Sequence, residues 1–213
     1  MNIVLLGFPG AGKGTQAKML KEEYGFTHIS TGDLIRREIA QGTPLGNKIK
    51  LLTSQGNLVP DEDTVNLLIS AVKDGGGNII FDGFPRTIAQ AEILDKYLAR
   101  QDKKVDVALL INLSEEEVLK RLTSRRVCSA CGGIYNIYWA DYKGICTKCG
   151  GQLITRPDDT LESAKHRLEV FKKETQPLIE YYQKSSASFK KVDGGGSPQE
   201  VFRSVQDALG LKK

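Results

Sequence analysis

The chain has 213 residues, with 30 Lys+Arg against 26 Asp+Glu and a formal net charge of +4. Hydrophobic residues make up 40% and charged residues 26%, which excludes wholesale disorder and allows one or two domains with a proper core. No apolar run approaches the ~18 residues of a bilayer-spanning helix, and the opening MNIVLLGFPG lacks the basic segment and cleavage site of a signal peptide. A cytoplasmic protein without membrane association is expected.

In chain order, residues 3–6 (IVLL) form an apolar run ending in the glycine-rich GFPGAGKGT, which predicts a buried strand entering a tight turn. A helix carrying Ala17, Leu20 and Tyr24 follows. Residues 30–59 are polar and glycine-rich around a short helical pattern. Pro60-Asp61 then opens a helix with Val65, Leu68, Ile69 and Val72 at i, i+3, i+4, i+7. Residues 78–81 and 107–113 read as further buried strands. Ser114 and Glu117 have capping-box spacing ahead of Val118, Leu119 and Leu122. Residues 127–162 hold all four cysteines and little helical periodicity. A helix beginning near Thr160 is expected to bend or end at Pro177. Residues 189–192 supply a last strand. The final helix has Ser197 as N-cap, Pro198 as first residue, Glu200 as capping acid and Gly210 as stop.

Apolar strands alternating with helices predict an α/β fold, a parallel sheet with helices on both faces. Such sheets bind ligands at the carboxyl ends of their strands. The two irregular stretches read as insertions: a core of 1–29, 60–126 and 163–213, a helical insertion at 30–59, and a small lid at 127–162.

Gly7-Phe-Pro-Gly10-Ala-Gly12-Lys13-Gly14-Thr15 lies between a strand and a helix, the context that identifies a P-loop. Its glycines let backbone N–H groups of Gly10, Ala11, Gly12, Lys13, Gly14 and Thr15 turn around an anion, and the helix N-terminus adds partial positive charge. Lys13 reaches the outer phosphates of a nucleotide. Gly14 replaces the usual Ser or Thr after the lysine, and a hydroxyl comes only at Thr15. Magnesium is therefore expected to depend on carboxylates and water.

Cys128-x₂-Cys131-x₁₄-Cys146-x₂-Cys149 uses every cysteine in the chain, and two such knuckles are the pattern of a tetrahedral zinc site. Four thiolates leave no open position for substrate, so the expected role is structural. An insertion of roughly 35 residues is shorter than the ~40 that usually fold unaided, and zinc supplies on the order of 10–16 kcal/mol in small zinc domains. Tyr135, Ile137, Tyr138 and Trp139 are expected to form the mini-core of that lid. His28 and His166 are not needed as ligands.

With STGDLIR (30–36), LVPDE (58–62), FDGFPRT (81–87), RPDDT (156–160) and KVDG (191–194), the whole chain resembles the adenylate kinases, P-loop NTPase-type enzymes, in the form with a long zinc-binding lid. The resemblance implies phosphoryl transfer from Mg-ATP to AMP, giving two ADP, in a monomer. It assigns Arg36 and Arg86 to the AMP phosphate, and Arg121, Arg125, Arg156 and Arg167 to ATP and the moving phosphoryl, with Arg156 and Arg167 also reaching AMP. Arginine suits this role because its planar fork binds phosphate oxygens bidentately and stays protonated. Thr31, Leu58, Val59, Gly83 and Gln90 are assigned to the acceptor nucleotide. Gln90 lies four residues after Arg86, and its amide matches the Watson–Crick edge of adenine. Asp82, ending a predicted strand, is expected to anchor Mg²⁺ through bound water, with Asp33 helping from the other side. Asp158 and Asp159 are expected to orient arginines. The backbone of Gly194-Gly195-Gly196 can approach the ATP base. Leu34-Ile35 departs from the family's common Met-Leu and bears on pocket shape alone.

Two other functions fit parts of the pattern. One is another nucleoside monophosphate kinase, preferring UMP, CMP or GMP; Gln90 and Leu58-Val59 argue against it. The other is a zinc-ribbon nucleic-acid-binding NTPase, which the lack of basic–aromatic interleaving outside the lid disfavours. The charge distribution agrees. From Lys120 to Arg167 there are nine Lys/Arg and four Asp/Glu, a local +5 within the net +4. The basicity belongs to the lid and its hinges, where a triphosphate is to be covered.

Overall fold

Every residue of the first strand, β1 (Asn2–Leu6), is buried, and alternate side chains enter two separate cores. Ile3 and Leu5 join one, while Val4 and Leu6 join the other. A strand covered on both faces requires this alternation. The computed structural model describes residues 1–72, 77–139 and 142–211. Five parallel strands, β1, β2 (Thr27–Ser30), β3 (Ile79–Asp82), β4 (Val107–Asn112) and β8 (Ser188–Asp193), form one sheet in the order β2-β3-β1-β4-β8. β3 and β4 repeat the alternation: Ile80, Leu109 and Ile111 point to the first core, Phe81, Ala108 and Leu110 to the second.

Helices α1 (Lys13–Tyr24), α6 (Glu115–Ser124), α7 (Leu161–Val170) and α9 (Pro198–Leu209) supply the first core. Helices α4 (Asp61–Val72), α5 (Ile88–Ala99) and α8 (Pro177–Lys184) supply the second. β1 lies between β3 and β4, and the chain crosses from one side of it to the other between those two strands, so the crevice beyond the carboxyl end of β1 is a switch point in strand order. Among the described residues, no helix is long and apolar enough to cross a membrane.

β2 has no counterpart among the expected strands. It is a four-residue edge strand in which only Ile29 is buried, too short for apolar alternation to show. Residues 30–59 contain two helices, not one short pattern: α2 (Thr31–Ala40) and α3 (Pro44–Ser54). Ser30 caps the first, accepting from the Asp33 N–H, and Thr43 caps the second, accepting from the Gly46 N–H. The capping box at Ser197 and Glu200 forms in both directions. At Ser114 the hydroxyl accepts from the Glu117 N–H, but the Glu117 carboxylate accepts from Arg121 at 3.0 Å. Pro177 opens α8 after a π-helical turn, Phe171–Thr175. The wide turn lets the Gln176 N–H reach the Phe171 carbonyl at 2.8 Å, so a helix resumes around a residue that has no N–H to give.

The cysteine segment folds as a three-stranded antiparallel sheet, β5 (Arg125–Cys128), β6 (Ile134–Asn136) and β7 (Leu153–Ile154). It begins at Arg125, two residues ahead of the boundary read at 127. Its interior differs from the expected mini-core. Tyr135 packs with Cys128, Cys146, Tyr142 and Leu153, whereas Ile137 and Tyr138 are exposed and Trp139 faces the cleft. Two knuckles and three short strands enclose one buried ring, Tyr135, beside the Cys128 and Cys146 thiols.

The approach of α3 to α2 depends on one residue. A Cβ at Gly46 would lie 2.2 Å from the Glu38 carbonyl oxygen and 3.0 Å from the Ile39 Cα. Overpacking of this kind costs about 1–3 kcal/mol. Gly46→Ala is expected to lower the melting temperature by about 2–10 °C for a chain of this size. Gly77→Ala, where a Cβ meets nothing among the described residues within 4 Å, is expected to leave it unchanged; thermal unfolding followed by circular dichroism compares them.

Candidate active site

The turn after β1 owes its shape to three glycines with positive φ: Gly7 at 135°, Gly10 at 83° and Gly12 at 99°. A Cβ at Gly7 would stand 2.4 Å from the Ile111 carbonyl oxygen, so this position admits glycine for space as well as conformation. Gly12 precedes α1 without a side-chain cap, leaving the helix's first N–H groups for a ligand. Lys13 donates to the carbonyls of Gly7 at 2.7 Å and Phe8 at 2.9 Å. Burial draws its pKa from 10.5 down to about 8; Arg86, Arg167 and Arg125 push the same way, and Asp82 opposes them.

Six arginines face the same cleft: Arg36, Arg86, Arg121, Arg125, Arg156 and Arg167. Five of them have a scaffold of their own. Arg36 donates to Asp33 at 2.5 Å. Arg86 donates through Nε to the Gly83 carbonyl at 2.9 Å. Arg121 is fixed by Glu117. Arg125 grips both oxygens of Asp159, one of them at 2.7 Å, and the Asp159 side chain has no exposure. Arg167 donates to Asp158 at 3.0 Å. The two adjacent carboxylates thus orient arginines, as expected for Asp158 and Asp159. Burial together with the neighbouring arginines lowers Arg86 and Arg156 to about 10. Their guanidinium groups stay charged near neutrality while repelling one another. The off-motif Arg37 is exposed, and Arg126 donates back to the Arg125 carbonyl.

Asp82 stands at the carboxyl end of β3, its Oδ2 3.1 Å from His28 Nε2. The same oxygen would lie 3.1 Å from a Cβ on Gly14, so glycine after the P-loop lysine makes room for this carboxylate. Asp33 lies on the cleft but its carboxylate is engaged by Arg36. Leu58 and Gly83 line the cleft. Thr31 donates to the Asp82 carbonyl at 3.1 Å, and Val59 is buried with its carbonyl accepting from Thr64. Gln90 is also buried, and both ends of its amide have protein partners, the Arg86 N–H and Asp61. Sequence reasoning did not find Asp61, because its role appears only where α4 meets the turn before α5. A second, smaller cavity lies between Ala11, Thr15, Arg121, Trp139, Gly194 and Gly196. Gly194 is required there, since a Cβ would be 2.9 Å from Ile111 and 3.0 Å from the Asn112 carbonyl.

A family model for adenylate kinase matches residues 5–187. Relatives called adenylate kinase are similar along the whole chain. One from Clostridium tetani is 48% identical over 214 residues, 99% of each chain. One from Thermodesulfovibrio yellowstonii is 47% identical over 209 residues, 96% of this chain and 97% of its own. One from Clostridium beijerinckii is 45% identical over 217 residues, the full length of both. The chain belongs to the adenylate kinase family.

In this adenylate kinase the four cysteines are free thiols whose sulfurs lie within 4.8 Å of one another. Both knuckles are built alike. Gly132 and Gly150, with φ of 67° and 71°, donate to the Cys128 and Cys146 carbonyls. A Cβ at Gly151 would come 2.8 Å from the Cys128 sulfur. Tyr135 approaches Cys146 at 3.2 Å and draws that thiol down to about 6. Four convergent sulfurs fit a tetrahedral zinc ion. The knuckles also rest on α1: Lys18 donates to the Gly132 carbonyl at 2.7 Å, and Lys148 pairs with Glu22 at 2.7 Å.

A triphosphate beside Lys13 favours its charged form and raises its pKa. Binding of a non-hydrolysable ATP analogue at pH 8 is expected to take up about half a proton, and at pH 6, where Lys13 is already charged, none there. Calorimetry in buffers of different ionisation heat measures the uptake, and Lys13→Met is expected to remove it.

Proposed function

We propose that this enzyme catalyses reversible transfer of the γ-phosphoryl group of Mg-ATP to AMP, giving two ADP and balancing the adenine nucleotides. The observation that carries this reading is the convergence of Lys13 and six arginines from separate segments on one cleft beside a P-loop. That much positive charge suits two phosphate chains held in line. Phosphoryl transfer asks for positioning and charge stabilisation, with little covalent chemistry from the protein.

In this reading the backbone of Gly10, Ala11, Gly12, Lys13, Gly14 and Thr15 holds the ATP phosphates, and the second cavity takes its base. Arg121 and Arg125 close over the ATP side. Arg36 and Arg86 hold the AMP phosphate, while Arg156 and Arg167 reach both substrates. Thr31, Leu58, Val59, Gly83 and Gln90 surround the acceptor nucleoside. Asp82, together with Asp33, holds Mg²⁺ through water; when bound, the ion neutralises charge on the phosphates. Residues 30–59 and 127–162 close as two flaps that exclude water, so the phosphoryl group passes to AMP and not to solvent. Zinc in the four-cysteine site is structural. The enzyme acts as a cytoplasmic monomer and takes no nucleic acid.

ADP formation measured in parallel with AMP, CMP, UMP and GMP tests the reading. AMP is expected to be turned over far faster than the others; rapid turnover of another monophosphate beside poor turnover of AMP overturns it. Chelation of zinc is expected to lower the melting temperature while activity persists at low temperature. Immediate loss of activity in a folded, metal-free protein would place a metal in the chemistry instead.

A further inference from the structure

The amide of Gln90 is held at both ends by groups that accept only one orientation. The Arg86 main-chain N–H donates to Oε1 at 2.7 Å, and Nε2 donates to Asp61 Oδ1 at 2.7 Å. An N–H cannot accept, and a carboxylate cannot donate. Exchanging the amide's oxygen and nitrogen would set donor against donor at Arg86 and acceptor against acceptor at Asp61. Gln90 is 1% exposed, where unpaired polar groups are expensive, so the orientation is locked.

Asp61 is itself fixed. It is the first residue of α4, and its other oxygen accepts from the Thr87 hydroxyl at 3.0 Å. That hydroxyl caps α5 by accepting from the Gln90 N–H at 3.2 Å. The carboxylate therefore ties the start of α4 to the turn that carries Arg86.

A glutamine amide has two N–H groups and two acceptor lone pairs. Asp61 takes one donor and Arg86 one acceptor, leaving one of each. Adenine presents a donor at N6 and an acceptor at N1; hypoxanthine and guanine present the reverse at O6 and N1–H. We propose that Asp61, without touching the substrate, is the positioning residue that sets the Gln90 amide to read adenine and to reject a 6-oxopurine. The proposal rests on the assignment of Gln90 to the acceptor base made above.

The test is the ratio of kcat/KM for AMP to that for inosine monophosphate, which differs from AMP only at position 6 and the N1 proton. A bidentate base contact carries roughly five- to a hundredfold discrimination. Asp61→Ala, which leaves the Arg86 N–H alone to orient the amide, is expected to lower the ratio about fivefold or more with the KM for ATP unchanged. Asp61→Asn keeps the volume if the alanine variant fails to fold. Its amide can also donate, so it is expected to lower the ratio by an intermediate amount. Gln90→Leu is expected to lose the discrimination altogether. Loss of discrimination in Gln90→Leu with the ratio kept in both Asp61 variants overturns the proposal and leaves the assignment of Gln90 standing. An equal fall with both nucleotides in the Asp61 variants also overturns it, since that marks a structural role alone. A ratio unchanged in Gln90→Leu overturns the assignment of Gln90 and the proposal with it.

Discussion

Mutual repulsion among Lys13 and six arginines around one cleft is the constraint on which the rest of the site depends. Burial and like charge lower Lys13 to about 8 and Arg86 to about 10, so the fold holds these cations against their electrostatic preference. Two devices make that possible. Carboxylates outside the phosphate positions grip the arginines: Asp158 and Asp159 hold Arg167 and Arg125, Glu117 holds Arg121, and Asp33 holds Arg36. Backbone carbonyls do the same for two more, Gly7 and Phe8 for Lys13 and Gly83 for Arg86. A polyanion entering the cleft meets donors already aimed, and relieves the repulsion as it binds.

The lid meets the same constraint with a different support. Arg125 begins its sheet and Arg156 follows its last strand, so two cations ride on a module whose own interior holds little more than Tyr135 and the thiols. So small an interior cannot set guanidinium groups to within a few tenths of an ångström. Convergence of four sulfurs on one ion can. The knuckles that supply these sulfurs also bear the contacts to Lys18 and Glu22, four residues apart on α1. The four-cysteine module thus rests on the helix that follows the P-loop turn.

How much of this is legible in the sequence follows from where the information lies. The inner strands β1, β3 and β4 show as apolar runs because both faces are buried; the edge strand β2, with only Ile29 buried, gives no such signal. The P-loop and the two cysteine knuckles are local in sequence, and their spacing alone states their geometry. The arginines are legible only through motif resemblance, since nothing in the neighbourhood of Arg167 indicates that α7 turns it toward Asp158. The lid mini-core was misjudged for a related reason. Ile137 and Tyr138 are apolar and close to Tyr135 in sequence, but of the four expected mini-core residues only Tyr135 is buried. The π turn before Pro177 and the anchoring of Gln90 by Asp61 arise from contacts between distant segments.

Gly14 shows how one absent side chain links these parts. In the general P-loop pattern the residue after the lysine carries a hydroxyl, which here is displaced to Thr15. A Cβ at position 14 would press on the Asp82 carboxylate at 3.1 Å and on the Ile134 side chain of the lid at 3.8 Å. The first contact is tight, so the carboxylate beside His28 would have to give by a few tenths of an ångström. The second is ordinary packing, and it locates the lid strand directly over the start of α1. Glycine therefore leaves the carboxylate from β3 undisturbed beside the start of α1, where a hydroxyl would be a neutral group. It replaces a neutral group by a negative one where the surrounding charge is most positive. The substitution that weakens the P-loop resemblance in the sequence is, in the fold, what admits the carboxylate that faces Lys13.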